Sequence, residues 1–392
     1  MANKKKLLFV NGHLNVGGGE KSLIDLLQHL DYSEYDVDLL LVEGLGEYYK
    51  YIPSEVRVIY VCLADAYGAF GYTLLKNLRK CQFGLIWYRI ILILTHVFSK
   101  KILCLVRPVI QLSEKYDCAI AYRPGVCADI VAYVAMAKKK ICWWHNGKCD
   151  YTKQQIDEVD STWEDIDLLV SVSEGCKRLI TSNFTIPASK IVVIPNMIDI
   201  AYIVEKAGKD NPYSDFAEIR IITVCRLSEE KHLENAIYVM SALTAKNQNH
   251  GLCWYIIGDG PQRSYLTSLI EQFHLGKSVI LLGEKTNPYP YIKNANIYVS
   301  TSYQESQSIS VLEAMALRIP CVVTSTIGTD GYCLDGINSF VTEPNEKSLL
   351  SGVQKMLTKQ GNLEQMVQNA CQMVGHNFSP STIMNQVSSN LV

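Results

Sequence analysis

The chain has 392 residues, more than one hydrophobic core usually organises, so two domains are expected. Apolar residues make up 48% and charged residues 19%, which excludes an extensively disordered chain; Lys and Arg number 37 against 39 Asp and Glu, and with a net charge of −2 no global polyanion-binding field is expected, which leaves room for a local one. Thirteen cysteines are scattered without Cys-x-x-Cys spacing, so neither a disulfide framework nor a zinc site reads out, and a reducing compartment fits them.

Lys4, Lys5 and Lys6 precede Leu7–Val10, but Asn11-Gly12-His13 interrupts that apolar run before it reaches the roughly 7–15 residues of a secretory core. No run of about 18 apolar residues occurs, so no transmembrane helix is expected. Short apolar runs then alternate with amphipathic stretches, as in βα repeats with parallel sheets. Strands are expected at Lys6–Val10, Val37–Val42, Val56–Tyr60, Cys118–Tyr122, Lys140–Trp144, Leu168–Ser171 and Ile191–Ile194. After a polar interval, Glu205–Asp215, the pattern restarts with strands at Arg220–Val224, Trp254–Ile257, Val279–Leu282, Ile297–Val299, Cys321–Thr324 and Ser339–Val341. Helical patterns include Lys21–Leu30, Asn235–Leu243, Gln262–Phe273, Ser308–Ala316 and Lys347–Leu357. The expected fold is α/β: two Rossmann-like, doubly wound domains facing across a cleft, residues 1–204 and 205–376, with a helical tail, 377–392, able to return to the first.

One segment breaks the alternation. Residues 66–113 hold seven cations (Lys76, Arg79, Lys80, Arg89, Lys100, Lys101 and Arg107) and no Asp or Glu, interleaved with Phe70, Tyr72, Leu74, Leu75, Phe83, Trp87, Tyr88, Ile90–Leu94 and Phe98. Basic, aromatic-rich helices of this kind lie on anionic bilayer surfaces. A pair of buried helices with solvated basic faces gives the same composition.

Three motifs carry chemistry. Asn15-Val16-Gly17-Gly18-Gly19-Glu20 joins the first strand to the first helix; glycines let a ligand approach the backbone, and a helix start offers unpaired N–H groups to an anion, although the dinucleotide fingerprint spacing is absent. Arg226 and Lys231, just past the first strand of the second domain, are two cations suited to a diphosphate, or ordinary surface charge. Glu305 and Glu313 flank Ser306–Leu312, which puts one carboxylate in a loop and the other on a helix whose N-terminal amides can face phosphate oxygens.

With these residues the chain resembles the retaining glycosyltransferases of the glycogen-synthase-like family 4, the group 1 glycosyltransferases, which have the GT-B fold. The resemblance runs nearly end to end. It rests on Gly17–Glu20, Val170-Ser171-Val172-Ser173, Ile194-Pro195-Asn196-Met197-Ile198-Asp199, Arg226-Leu227 with Lys231, Gly258-Asp259-Gly260-Pro261, and the Glu305/Glu313 pair, in family order. It implies that Arg226 and Lys231 neutralise the donor diphosphate, that Glu313 holds the ribose and Glu305 the transferred sugar, and that the backbone of Ser308, Ile309 and Ser310 meets the phosphates. Gly18, Gly19, Asn196, Gly258, Gly283 and Glu284 complete the implied donor site, with Leu282–Lys285 at the base. His145, in Trp143-Trp144-His145-Asn146-Gly147, matches the family's active-site histidine; Gly17, Glu20, His145 and Asn146 would face the acceptor, and His145, Glu305, Arg226 and Lys231 form the implied catalytic set. Cys225, Met197, His232 and Asn146 depart from residues common in the family, as does Ser306-Gln307-Ser308, and the last departure leaves the sugar open.

The implied activity is metal-independent transfer, with retention, of a hexose or N-acetylhexosamine from a nucleotide sugar, UDP-sugar by family frequency, to a lipid-linked or cell-surface glycan in polysaccharide assembly. Asp36-Val37-Asp38 and Asp165-Ile166-Asp167 have metal-motif spacing but lie at the wrong strand edge. No cofactor is expected; the expected partners are a nucleotide sugar, a lipid-linked acceptor and an anionic membrane surface, met through Lys76, Arg79, Lys80, Trp87, Arg89, Lys100 and Lys101, and no nucleic acid. The expected location is cytoplasmic, at the inner face of the plasma membrane. A GT-B nucleotide-sugar 2-epimerase and a non-catalytic partner subunit are the alternatives.

Overall fold

Continuous Val, Ile and Leu runs make strands that are buried on both faces, as in parallel sheets covered by helices. Leu7, Leu8, Phe9 and Val10 are all 0% exposed. The computed structural model describes residues 4–66, 70–214, 218–245 and 251–391, without the side chains of Phe70, Tyr72 and Leu74. The first sheet contains β1 (Lys5–Asn11), β2 (Tyr35–Leu41), β3 (Arg57–Tyr60), β4 (Lys115–Ala121), β5 (Met136–Trp144), β6 (Leu168–Ser171) and β7 (Ile191–Val193), in the order β3-β2-β1-β4-β5-β6-β7. The second contains β8 (Ile219–Val224), β9 (Leu252–Ile257), β10 (Val279–Gly283), β11 (Ile297–Ser300), β12 (Cys321–Thr324) and β13 (Phe340–Thr342), in the order β10-β9-β8-β11-β12-β13. Every strand pairing in both sheets is parallel. The strand order therefore reverses at β1/β4 in one unit and at β8/β11 in the other, and in such sheets ligands bind beyond the carboxyl ends at the reversal.

The helices of the first part of the chain are α1 (Gly18–His29), α2 (Phe70–Arg79), α3 (Phe83–Thr95), α4 (Arg107–Ile110), α5 (Val126–Asp129), α6 (Lys153–Glu164) and α7 (Glu174–Asn183). α6 starts at a reciprocal capping box: Gln155 N–H donates to Thr152 Oγ1 (3.3 Å), and Thr152 N–H donates to Gln155 Oε1 (2.9 Å). Trp144, at the end of β5, packs edge-on against Trp163 of α6 (5.6 Å) and Phe184 (5.5 Å). The later helices are α8 (Ile200–Ala207), α9 (Glu234–Thr244), α10 (Arg263–Gln272), α11 (Tyr289–Lys293), α12 (Ile309–Ala316), α13 (Glu346–Leu357), α14 (Leu363–Asn377) and α15 (Pro380–Leu391).

Two compact units result. One runs to Val172 and includes Cys176–Pro195 and the chain from Met384 onward; the other comprises Ser173–Gly175 and Asn196–Ile383. The division falls at Pro195/Asn196, earlier than the expected boundary after residue 204. The reason is packing: Ile203 and Ala207 of α8 lie in the second unit's core with Tyr289, Ile292 and Val311. The interval expected to be a linker is likewise tied down in that unit. Asn287 donates to Lys206 O (2.8 Å), Asn294 to Asp210 O (3.2 Å), and Tyr213 Oη to Tyr291 O (2.9 Å); Asp215 lies outside the described residues. The tail forms α15, whose residues from Met384 belong to the first unit.

The second unit has a core on each face of its sheet. In one of them Trp254 is 0% exposed; its Nε1 donates to Thr223 Oγ1 (3.0 Å), which donates to Val299 O (2.7 Å). Trp254→Ala should lower the unfolding free energy by about 3–5 kcal/mol, since it combines lost burial, a cavity and a broken hydrogen-bond chain. Urea denaturation followed by circular dichroism measures this.

Candidate functional site

The polar groups of the second unit collect where its strand order reverses. β8 leads through Val224 and Cys225 to Arg226, which is exposed and whose side chain, among the described residues, forms no hydrogen bond or ion pair. A single turn, Glu229–Lys231, brings Lys231 back beneath the segment that follows β11. There Lys231 Nζ meets Glu305 Oε1 at 2.7 Å, and Ser302 Oγ donates to the same oxygen (2.8 Å). Their side chains are 16% and 12% exposed. Burial works against the Lys231 ammonium, but the Glu305 carboxylate beside it outweighs burial and raises the Lys231 pKa, so Lys231 stays charged. A half-buried pair is tolerable when it is paired and hydrogen-bonded in this way.

From Glu305 the chain enters α12. Glu313, in its second turn, is 5% exposed and accepts from Tyr289 Oη (2.9 Å). At the helix start, Ser308 N–H donates to Tyr332 Oη (3.0 Å), and Tyr298 Oη donates to Ser310 Oγ (2.8 Å). The Ser308 amide, expected to meet phosphate, is therefore already engaged, which leaves the amides of Ile309 and Ser310 facing outward from the first turn, where an α-helix has no internal acceptors. Gln307 reaches the other way: its Oε1 accepts from Asn196 N–H (2.7 Å) and its Nε2 donates to Asn196 O (3.2 Å). The side chain of Gln307 thus fixes the backbone of Asn196, a residue expected to meet the donor.

Gly258 follows β9 with φ +136°, and a Cβ there would stand 1.9 Å from Cys225 O. Its requirement for glycine is explained by two strand-end loops crossing at that point. Its N–H donates to Gly283 O (3.0 Å), which aligns Gly283 and the exposed Glu284 beside the same strand ends.

In the first unit, Gly17 caps α1, and a Cβ there would lie 2.2 Å from Glu20 Oε2; the absence of a side chain lets that carboxylate fold back over the helix start, with Gly18 and Gly19 in its first turn. Glu20 is 6% exposed and pairs with Arg123, which follows β4, while His13 Nδ1 stands 3.8 Å away. His145 follows β5. Its ring lies 4.8 Å from Tyr122, a Cβ on Gly19 would be 3.9 Å from its Cγ, and its Nε2 is shielded from solvent without a hydrogen-bond partner among the described residues. Burial, with the Arg123 charge, pushes the His145 pKa down to about 3. The ring is neutral at neutral pH, able to orient a hydroxyl but poorly matched to take its proton. Asn146 presents its backbone carbonyl to Trp144 Nε1 (2.7 Å).

Segment 66–113 forms α2 and α3; residues 67–69 are outside the described part. α3 is apolar on two faces: Leu85, Tyr88 and Ile91 are buried, whereas Phe83, Trp87, Ile90 and Ile93 form a second stripe open to solvent, continued by Val97 (74% exposed) and Phe98. Leu75 and Leu78 of α2 are also exposed. Several of the cations have partners within the chain. Lys76 pairs with Asp65 (2.7 Å), Lys100 with Asp129 (3.0 Å), and Arg89 donates to Ala66 O. Arg79, Lys80 and Lys101 remain exposed. No helix among the described residues is long and apolar enough to cross a membrane.

Asp38 and Asp167, from the two metal-spaced motifs, are engaged otherwise. Asp38 accepts from Arg57 Nε (2.8 Å) and Tyr116 Oη (2.7 Å), and Asp167 accepts from Lys140 N–H (2.8 Å). Sequence reasoning missed Arg123, His13, Ser302 and the tyrosines 289, 298 and 332. Arg123 carried a usable signal, because it directly follows the strand at the reversal. The tyrosines are single residues among 23 with no local pattern.

Residues 211–373 match the family model for glycosyl transferases group 1. Among curated proteins, the chain is 29% identical over 195 residues to the Campylobacter jejuni N-acetylgalactosamine-N,N'-diacetylbacillosaminyl-diphospho-undecaprenol 4-alpha-N-acetylgalactosaminyltransferase, covering 49% of this chain and 51% of that one. It is 21% identical over 348 residues to an Escherichia coli UDP-Gal:alpha-D-GlcNAc-diphosphoundecaprenol alpha-1,3-galactosyltransferase, covering 84% and 82%. The chain spans a little over half the length of several curated relatives that it matches, the Campylobacter protein among them. The crystal structure of Anabaena HepE in complex with UDP-glucose superposes with a TM-score of 0.72 at 18% identity, covering 98% and 99% of the two chains. Such a likeness identifies the fold, a two-domain α/β GT-B architecture.

The His145 pKa has a consequence for stability. In the unfolded chain the imidazole titrates near 6.5 and in the native state near 3, so below 6.5 the unfolded state binds more protons. This contribution is complete above about pH 6.5 and is lost progressively as the pH falls toward 3. His145→Gln should flatten the decline in unfolding free energy over that window, as read by urea midpoints from pH 7 to pH 4.

Proposed function

We propose, from the match of residues 211–373 to the group 1 glycosyltransferases, that this chain is a retaining enzyme that moves a hexose or N-acetylhexosamine from a UDP-sugar to a lipid-linked glycan acceptor in polysaccharide assembly. The observation that carries the reading is the arrangement at the second unit's strand reversal: an exposed Arg226, the Lys231–Glu305 pair and the start of α12. As the bond from the anomeric carbon to the diphosphate breaks, its electron pair goes to the diphosphate oxygen. Arg226, Lys231 and the amides of Ile309 and Ser310 stabilise that growing charge. Glu305 holds hydroxyls of the transferred sugar, and Glu313, oriented by Tyr289, holds the ribose. The acceptor oxygen bonds to the anomeric carbon from the face that the diphosphate leaves, and its proton passes to the departing phosphate oxygen. His145 orients a sugar hydroxyl in the first unit. Arg and Lys with a helix N-terminus supply the positive charge that a divalent ion supplies elsewhere, so no metal is required in this reading. The names of the Campylobacter and Escherichia relatives support a diphosphate-lipid-linked acceptor, and the latter name supports a UDP-sugar.

The open stripe of α3 supports peripheral attachment to an anionic membrane through that face. Apolar insertion by Phe83, Trp87 and Ile90 supplies more of the binding than the composition of the segment suggested, because Lys76, Arg89 and Lys100 are engaged within the chain.

Lys231→Ala and Glu305→Ala should each cut turnover by about 10²–10³-fold in an assay of UDP release with extracted membrane lipids as acceptor, while circular dichroism stays native. Near-normal turnover in either variant, or loss of wild-type activity in EDTA, would overturn the assignment. In vesicle co-sedimentation, Phe83→Ser should weaken binding to neutral and anionic vesicles alike. Replacing Arg79, Lys80 and Lys101 with Gln should weaken binding to anionic vesicles alone, by about tenfold or more.

A further inference from the structure

The Tyr332 hydroxyl accepts the Ser308 amide, and an accepting hydroxyl keeps its own hydrogen to donate. Among the described residues nothing takes that hydrogen. Tyr298, the neighbouring buried tyrosine, differs: its hydroxyl donates to Ser310 Oγ (2.8 Å) and approaches Val224 O (3.3 Å). Tyr332 is 7% exposed, and buried polar hydrogens are seldom left unbonded. Burial also holds its phenol pKa well above the ordinary value, so the hydrogen stays in place at neutral pH. The hydroxyl stands at the start of α12, where an anion is favoured by the helix dipole and by unpaired amides.

We infer that Tyr332 is a further residue of the donor site, its hydroxyl receiving the Ser308 amide and donating to an oxygen of the leaving diphosphate. The inference rests on the donor-site reading given above. The amide that is withdrawn from direct phosphate contact then acts through the phenol, and a chain of hydrogen bonds polarises each member toward the anion. No proton is transferred. The hydrogen is shared more strongly as the bond from the anomeric carbon to oxygen breaks and the electron pair settles on the diphosphate, so the contact is worth more in the transition state than in the bound donor.

Calorimetric titration of wild type and Tyr332→Phe with UDP and with uridine tests this. UDP affinity should fall about tenfold or more while uridine affinity stays within roughly twofold, and kcat should fall by more than KM rises. Retained uridine binding shows that the variant is folded at the site. A second variant carries 3,5-difluorotyrosine at position 332, whose more acidic phenol ionises at lower pH. Its UDP affinity should decline as the phenol ionises, with no matching decline for uridine or for the wild type. A hydroxyl that merely capped the helix would accept the Ser308 amide at least as well when ionised. UDP and uridine changing in parallel, or UDP binding unchanged in Tyr332→Phe, would overturn the role of Tyr332 and leave the donor site standing. Failure of the wild type to bind UDP would overturn both.

Discussion

Parallel strands joined by helical crossovers must reverse their winding somewhere if both faces of a sheet are to be covered, and at that point neighbouring loops diverge. Each unit obeys this constraint once, at β1/β4 and at β8/β11. The diverging loops leave strand-end backbone and side chains without neighbours from the core, and the polar groups described above gather there. Lys231 and Glu305 owe their contact to β8 and β11 lying side by side, although 74 positions in the sequence separate them. Arg123 follows β4 beside the Gly17–Glu20 turn for the same reason.

The charges at the second unit's reversal differ in kind. Lys231 and Glu305 pair with one another, which makes their partial burial tolerable, while the ammonium keeps further N–H groups to offer an anion. Arg226 is exposed and, among the described residues, its side chain has no ion pair, although its charge is felt by Glu230. In the first unit the balance is inverted: Glu20 takes up the charge of Arg123, and the neighbouring His145 is kept neutral. A neutral, donor-and-acceptor environment suits hydroxyls, whereas an uncompensated cation beside helix amides suits phosphates.

Much of the architecture was legible because periodicity and strand-end position are local properties. Continuous apolar runs announced the strands, and the Glu305/Glu313 motif lay where α12 begins. What escaped depends on contacts between distant positions. No local signal ties Tyr332 to Ser308 or Tyr289 to Glu313, since each is one of many tyrosines and is aligned only by packing. The domain boundary was drawn where the composition turned polar. Its actual place is set by α8, whose Ile203 and Ala207 are buried with residues far along the chain. The basic segment was read by counting cations, but a count does not reveal that Asp65 and Asp129, outside the segment, engage two of them.

The grip of Gln307 on both polar groups of the Asn196 backbone bears on how such chains can be recombined. The loop that carries Glu305 and the peptide that opens the second unit form one hydrogen-bonded piece. A chimera that imports the loop from a relative with an apolar residue at 307 loses both of these hydrogen bonds to the Asn196 backbone. The crossover that keeps this piece whole lies at or before Pro195, so exchange of the second unit between relatives is cleanest when the inherited block begins there.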